Sequence, residues 1–218
     1  MAELRTEEEQ LEALKKWWKE NGRSIVVAIA VAVAAVLGWQ GWQKYHEKQA
    51  TEASALYQNL VQSVVIELDE NPDPQLQRIM HLGNQLKENH AKSTYSHYAA
   101  LMLARAAVQV QNYDQALAEL DWVIERAKEE DLKRVASIRK ARVLVAVNQP
   151  EQARAVLTAI TPGAFTALYY EVLGDIAVQQ GDFDAAMAAY DQALAAAEDQ
   201  PTRPVLQMKR DDLMRGAG

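Results

Sequence analysis

The chain has 218 residues, room for one or two domains, and it contains no cysteine, which excludes disulfides, thiol catalysis and thiolate metal sites. Only 9 glycines and 6 prolines interrupt a composition rich in alanine, leucine, valine, glutamine and glutamate, so a mostly helical protein is predicted. The net charge is −7, with 18 Lys and Arg against 24 Asp and Glu from Lys44 onward; such an acidic surface argues against nucleic acid as a direct partner.

Residues 1–23 form a charged leader. Leu11, Leu14 and Trp18 recur at i, i+3 and i+7 with Lys15, Lys16 and Lys19 beside them, a pattern that predicts a short amphipathic helix lying on an anionic leaflet. Asn21-Gly22 predicts a break before the next segment. From Ser24 to Gln43 there are 20 residues without a formal charge, and Ile25 to Trp39 holds no polar side chain. As a helix this run is about 30 Å long, which matches the hydrocarbon core of a bilayer.

Trp17 and Trp18 precede the run, and Trp39 and Trp42 close it; indole rings favour the headgroup zone, so these four are expected interface anchors. Ala32-Val33-Ala34 suits a signal peptidase, but a leader with six acidic residues is unlike a short basic n-region, so a retained transmembrane helix is predicted. Arg5, Lys15, Lys16, Lys19 and Arg23 precede the span, whereas Lys44 and Lys48 follow it. That asymmetry places the N-terminus in the cytoplasm and the rest of the chain outside it, facing the periplasm in a two-membrane bacterium. Ala30, Ala34 and Gly38 fall four apart, a spacing that lets a second membrane helix approach closely.

Residues 44–94 are expected to be linking helices of the exposed domain. Breaks are predicted at Asn71-Pro72-Asp73-Pro74, Gln111-Asn112, Asn148-Gln149-Pro150, Thr161-Pro162-Gly163, Gln180-Gly181-Asp182 and Gln200-Pro201, which implies antiparallel helix pairs. Three segments share a phrase: Asn112-Tyr113-Asp114-Gln115-Ala116, Gln149-Pro150-Glu151-Gln152-Ala153 and Asp182-Phe183-Asp184-Ala185-Ala186. Their spacing is close to the tetratricopeptide period. The last repeat resembles that motif most fully, through Tyr170, Leu173, Gly174, Gly181, Phe183, Ala186, Tyr190 and Ala193. The expected fold class is all-α: a single N-terminal transmembrane helix, then a tetratricopeptide-like α-solenoid over residues 95–215. On that template the first helix of each pair lines a groove, and the groove positions are Tyr98, Arg105 and Gln109, then Arg142, then Glu171, Asp175 and Gln179.

No catalytic constellation is legible. His46, His81, His90 and His97 lie in no HExxH, and there is no GxGxxG, Walker loop or GxSxG, so neither an enzyme nor a cofactor is expected. Lys128-Glu129-Glu130-Asp131 reads as a solvated helix end.

The order of parts resembles a known family. The leader LEALKKWWKENG, the span ending LGWQGWQKY, the segment EASALYQNLV and degenerate repeats are together similar to the ancillary subunit of the bacterial SecYEG translocon, the inner-membrane family often called YfgM. The resemblance implies a single-pass protein with a periplasmic repeat domain, associated with the SecYEG translocon and with a membrane-anchored prolyl-isomerase chaperone (PpiD-like). It implies help in passing newly exported chains to periplasmic chaperones. It also implies a second role, restraint of a cytoplasmic response regulator through the N-terminal tail. An envelope-assembly adaptor is an alternative that the fold alone leaves open.

Overall fold

The computed structural model describes residues 7–65, 73–197 and 204–216, and every regular element among them is helical. The expected breaks at Asn71-Pro72 and Gln200-Pro201 lie outside the described residues, as does Arg5. The chain divides into two compact units, Met1–Thr51 and Glu52–Gly218.

The first unit consists of the N-terminal part of α1 (Glu7–Val65). The predicted break at Asn21-Gly22 does not occur: the helix runs straight through it. Asn21 returns its side-chain amide to the Trp17 carbonyl at 3.1 Å, and the Trp18 indole lies over Gly22, covering the backbone that glycine would otherwise expose. The apolar run is long and apolar enough to cross a membrane, with a mean hydropathy of 2.0, and none of it is buried against protein. The Trp39 and Trp42 rings lie tilted with centroids 5.3 Å apart, and His46 meets Trp42 edge-on at 4.4 Å. Trp17 and Trp39 are separated by about 33 Å of helix, so the aromatic groups bracket the apolar stretch. Beside Gly38 there is open space.

The second unit is a stack of helices: the end of α1, then α2 (Asp73–Asn89), α3 (Thr94–Gln109), α4 (Tyr113–Arg126), α5 (Glu130–Ala146), α6 (Pro150–Thr158), α7 (Thr166–Gln179), α8 (Phe183–Ala195) and α9 (Pro204–Gly216). From α2 on, each helix packs against the next, and α3, α5 and α7 also meet one another in turn. The core is therefore serial. Leu60, Ile79, Leu86 and Leu103 fill its first layer, Leu120, Val123 and Val143 the second, Leu157, Val172 and Ile176 the third, and Tyr190 with Leu206 the last. Each repeat thus buries its apolar face only by stacking on its neighbours.

The shared phrase of the sequence is a shared turn. Gln111, Asn148 and Gly181 all adopt the left-handed conformation, with φ of 58°, 59° and 74°. In each case the next N–H reaches back to a carbonyl five residues earlier: Asn112 to Ala107 at 2.8 Å, Gln149 to Leu144 at 2.8 Å, and Asp182 to Ala177 at 2.9 Å. This closure satisfies the carbonyls left open at the end of the first helix. The second helix then starts on a cap: Asn112 accepts from the Gln115 amide and Asp182 from the Ala185 amide, while Pro150 supplies a preset φ to α6. Two further breaks, at His90–Ser93 and Ala127–Glu129, contain neither proline nor glycine. The first is held by Ser93, which caps α3, and by Ser96, whose hydroxyl donates to the carbonyls of His90 and Ser93.

Candidate functional site

All seven sequence-predicted groove residues fall on the first helices of the pairs, α3, α5 and α7. Tyr98, Arg105 and Gln109 lie on α3, Arg142 on α5, and Glu171, Asp175 and Gln179 on α7. Three of them, Arg142, Glu171 and Asp175, are joined in one network. The Arg142 guanidinium donates to Glu171 at 2.9 Å, and Lys209 from α9 donates to Glu171 at 3.1 Å and to both Asp175 oxygens at 2.8 Å. Tyr190 from α8 donates its hydroxyl to Asp175 at 2.8 Å, and Gln179 ties α7 to α5 by donating to the Val145 carbonyl at 2.6 Å. Burial, reinforced by the bond to Asp175, holds the Tyr190 hydroxyl far above its ordinary pKa, so it stays a donor. These carboxylates brace α7 against α5, α8 and α9.

The other predicted residues are placed differently. Tyr98 is 40% exposed and belongs to an aromatic patch in which the Tyr57 ring lies 6.0 Å from that of Tyr98 and 5.2 Å from that of Tyr95. Gln109 is exposed at the end of α3. Arg105 and Arg142 line a cavity of about 330 Å³ between α3 and α5, together with Arg139, a residue that sequence reasoning missed. Its signal was its position three residues before Arg142 on α5, which turns both toward one face. Arg139 is exposed as a residue, but desolvation of its guanidinium by the cavity walls, then the positive fields of Arg142 and Arg105, lower its pKa.

Among the described residues no group of three or more His, Asp or Glu converges as a metal site. His97 is 3% exposed, packs 5.5 Å from the Trp122 ring, and neither imidazole nitrogen has a hydrogen-bond partner among the described residues. Burial lowers its pKa below the usual 6.5, and the pull of Glu129, whose carboxylate is 4.0 Å from Nδ1, only partly opposes this. The neutral ring is therefore the form that the fold favours. Its contribution is present above pH 6.5 and is lost as the pH falls, because the unfolded chain takes up the proton first. The thermal midpoint is expected to drop between about pH 7 and about pH 5. His97→Phe should flatten that drop when both proteins are melted across the range, and parallel curves would remove His97 as its source.

Stacked helix pairs, a repeated left-handed turn and a common face of first helices define a tetratricopeptide-like helical-repeat protein. Residues 15–215 match the family described as tetratricopeptide repeat-like domain. The chain is 31% identical over 187 residues to the ancillary SecYEG translocon subunit of Haemophilus influenzae, covering 86% of this chain and 88% of that protein. It is 30% identical over 207 residues to the protein of the same name from Escherichia coli, covering 95% and 96%. It belongs to the ancillary SecYEG translocon subunit (YfgM) family. The solved structure of MamA from residue 41 to its end, from Desulfovibrio magneticus RS-1, has the same fold, with a TM-score of 0.50 at 15% identity over 77% of this chain and 94% of that one.

Proposed function

We propose that this protein is a single-pass scaffold of the bacterial inner membrane, working beside the SecYEG channel. Its N-terminus lies in the cytoplasm, and its repeat domain faces the periplasm. There it brings periplasmic chaperones, a membrane-anchored prolyl isomerase of the PpiD type among them, to newly exported chains. Family membership carries the reading. The unburied apolar stretch of α1, its aromatic brackets and the excess of Lys and Arg before it support the membrane placement. The repeat face supports the scaffold role, since stacked helices offer an extended surface for a partner segment.

Two measurements test this. Because the chain has no cysteine, single cysteines can be placed at will. In intact spheroplasts a membrane-impermeant maleimide is expected to label Asp184→Cys and to spare Glu12→Cys; the reverse pattern would overturn the orientation. Purified from membranes in mild detergent, the full chain is expected to bring channel subunits and a prolyl-isomerase chaperone with it. Recovery of cell-wall enzymes alone would move the protein to envelope assembly.

A further inference from the structure

We infer that the Arg105–Arg139–Arg142 cavity docks an acidic peptide segment carrying an apolar side chain beside its carboxylates. The proposal rests on reading the chain as a docking scaffold. Peptide binding and co-purification with channel subunits nonetheless fail independently.

The walls set the chemistry of the occupant. Leu101, Ala104 and Val108 from α3, Leu120 from α4 and Val143 from α5 give the cavity an apolar lining, with the three arginines among them. The space, about 330 Å³, has room for a leucine-sized side chain together with a carboxylate. Of the three cations only Arg142 meets a carboxylate among the described residues, Glu171 at 2.9 Å. Arg105 and Arg139 make no ion pair or hydrogen bond among the described residues, whereas Lys133, Arg134, Lys140 and Arg210 all reach a carboxylate.

That contrast matters in a chain with 30 acidic and 23 basic residues, where carboxylates are in excess. Two guanidiniums left facing a third repel one another, and that repulsion adds to desolvation, the larger cause, in lowering the pKa of Arg139. An incoming carboxylate relieves that repulsion and can be gripped in the bidentate fashion that guanidinium favours. Charge complementarity therefore selects an acidic segment, and the apolar walls select one with a hydrophobic residue next to the charge. The face belongs to α3 and α5, so the segment lies across the first helices of two consecutive repeats.

The test uses the full chain in maltoside micelles and a fluorescein-labelled peptide of alternating leucine and glutamate, read by anisotropy. A matched peptide with lysine in place of glutamate serves as the comparison. The glutamate peptide is expected to bind at least about tenfold more tightly, and to weaken as salt is raised. Arg105→Glu with Arg139→Glu should reverse the preference, which an unfolded variant would not do, and Arg210→Ala should leave it unchanged. If the reversed variant binds neither peptide, the single substitution Arg139→Ala decides: weaker binding of the glutamate peptide supports the site, and unaltered binding overturns it. Equal affinity for the two peptides also overturns it. So does displacement of the glutamate peptide by phosphatidylglycerol more readily than by unlabelled peptide, an outcome that would assign the arginines to lipid.

Discussion

Gly174→Ala is expected to destabilise the C-terminal end of the repeat stack by about 2–3 kcal/mol, even though alanine is intrinsically the better helix former by about 1 kcal/mol. Gly174 lies on α7 where α8 comes closest. A Cβ there would fall inside the van der Waals surface of the Tyr190 ring, against Cδ1 and Cε1, and 3.0 Å from Cζ. The ring cannot retreat, because Tyr190 is 2% exposed and its hydroxyl is held by Asp175, the residue after the glycine. The neighbouring helices must therefore separate. Because the core is built in layers, the loss should be confined to α7, α8 and α9 and leave α3 and α4 nearly as they were. Hydrogen exchange read by mass spectrometry checks this. Full protection of α8 in the variant, or loss spread evenly over the stack, would show that the close approach is not what sets the local stability. Gly181→Ala is a useful contrast: its φ of 74° strains an alanine, yet nothing stands within 4 Å. Its cost should therefore be limited to about 1–2 kcal/mol of backbone strain.

The turns between paired helices were the most legible part of the fold. A left-handed residue, a capping Asn or Asp (or a proline at the first helical position) and an alanine that permits close packing are local chemistry, so one repeated phrase marks all three. The breaks before α3 and α5 were not marked that way. Their stops come from Ser93 and Ser96 reaching nearby carbonyls, and from charged residues at the start of α5, which are equally at home within a helix. Asn21-Gly22 misled for the converse reason. Both are breakers in isolation, but a tryptophan one turn back covers the glycine and takes the asparagine amide on its neighbour's carbonyl.

The site face was legible only as a set of positions. Helical spacing puts Glu171, Asp175 and Gln179 in one row, but it says nothing of what waits opposite them. Lys209 comes from α9, 34 residues beyond Asp175, and with Arg142 it neutralises the two carboxylates of that row, while Tyr190 donates a hydrogen bond to Asp175. On this face Arg105 and Arg139 are left without a carboxylate among the described residues, and that division depends on which helices stack. A single sequence carries the ingredients of such a network and not its pairing, because ion pairs form across layers whose register is fixed by the apolar core.

Lys87 and Glu119 supply the sharpest case of a pairing that spacing hides, and the second large expected effect. They sit on α2 and α4, with the ammonium 2.7 and 2.6 Å from the two carboxylate oxygens. The Lys87 side chain is 16% exposed and that of Glu119 only 7%, and the ammonium also lies 5.4 Å from the Trp122 ring centre. The two deletions should therefore be unequal. Lys87→Met strands a carboxylate with almost no access to water and should cost about 3–5 kcal/mol. Glu119→Gln leaves the ammonium an amide oxygen, a ring face and a path to solvent, so about 1–2 kcal/mol is expected. The double change Lys87→Met with Glu119→Leu removes both charges at similar volume and should return to within about 1 kcal/mol of the parent, since the desolvation cost of the pair disappears with its attraction. Urea unfolding of the parent, Lys87→Met, Glu119→Leu and their double variant in one detergent closes the cycle and gives the coupling directly. If the double variant loses as much as the two single variants added together, the pair is not acting as a coupled buried unit, and the stability of this layer comes from its leucines alone.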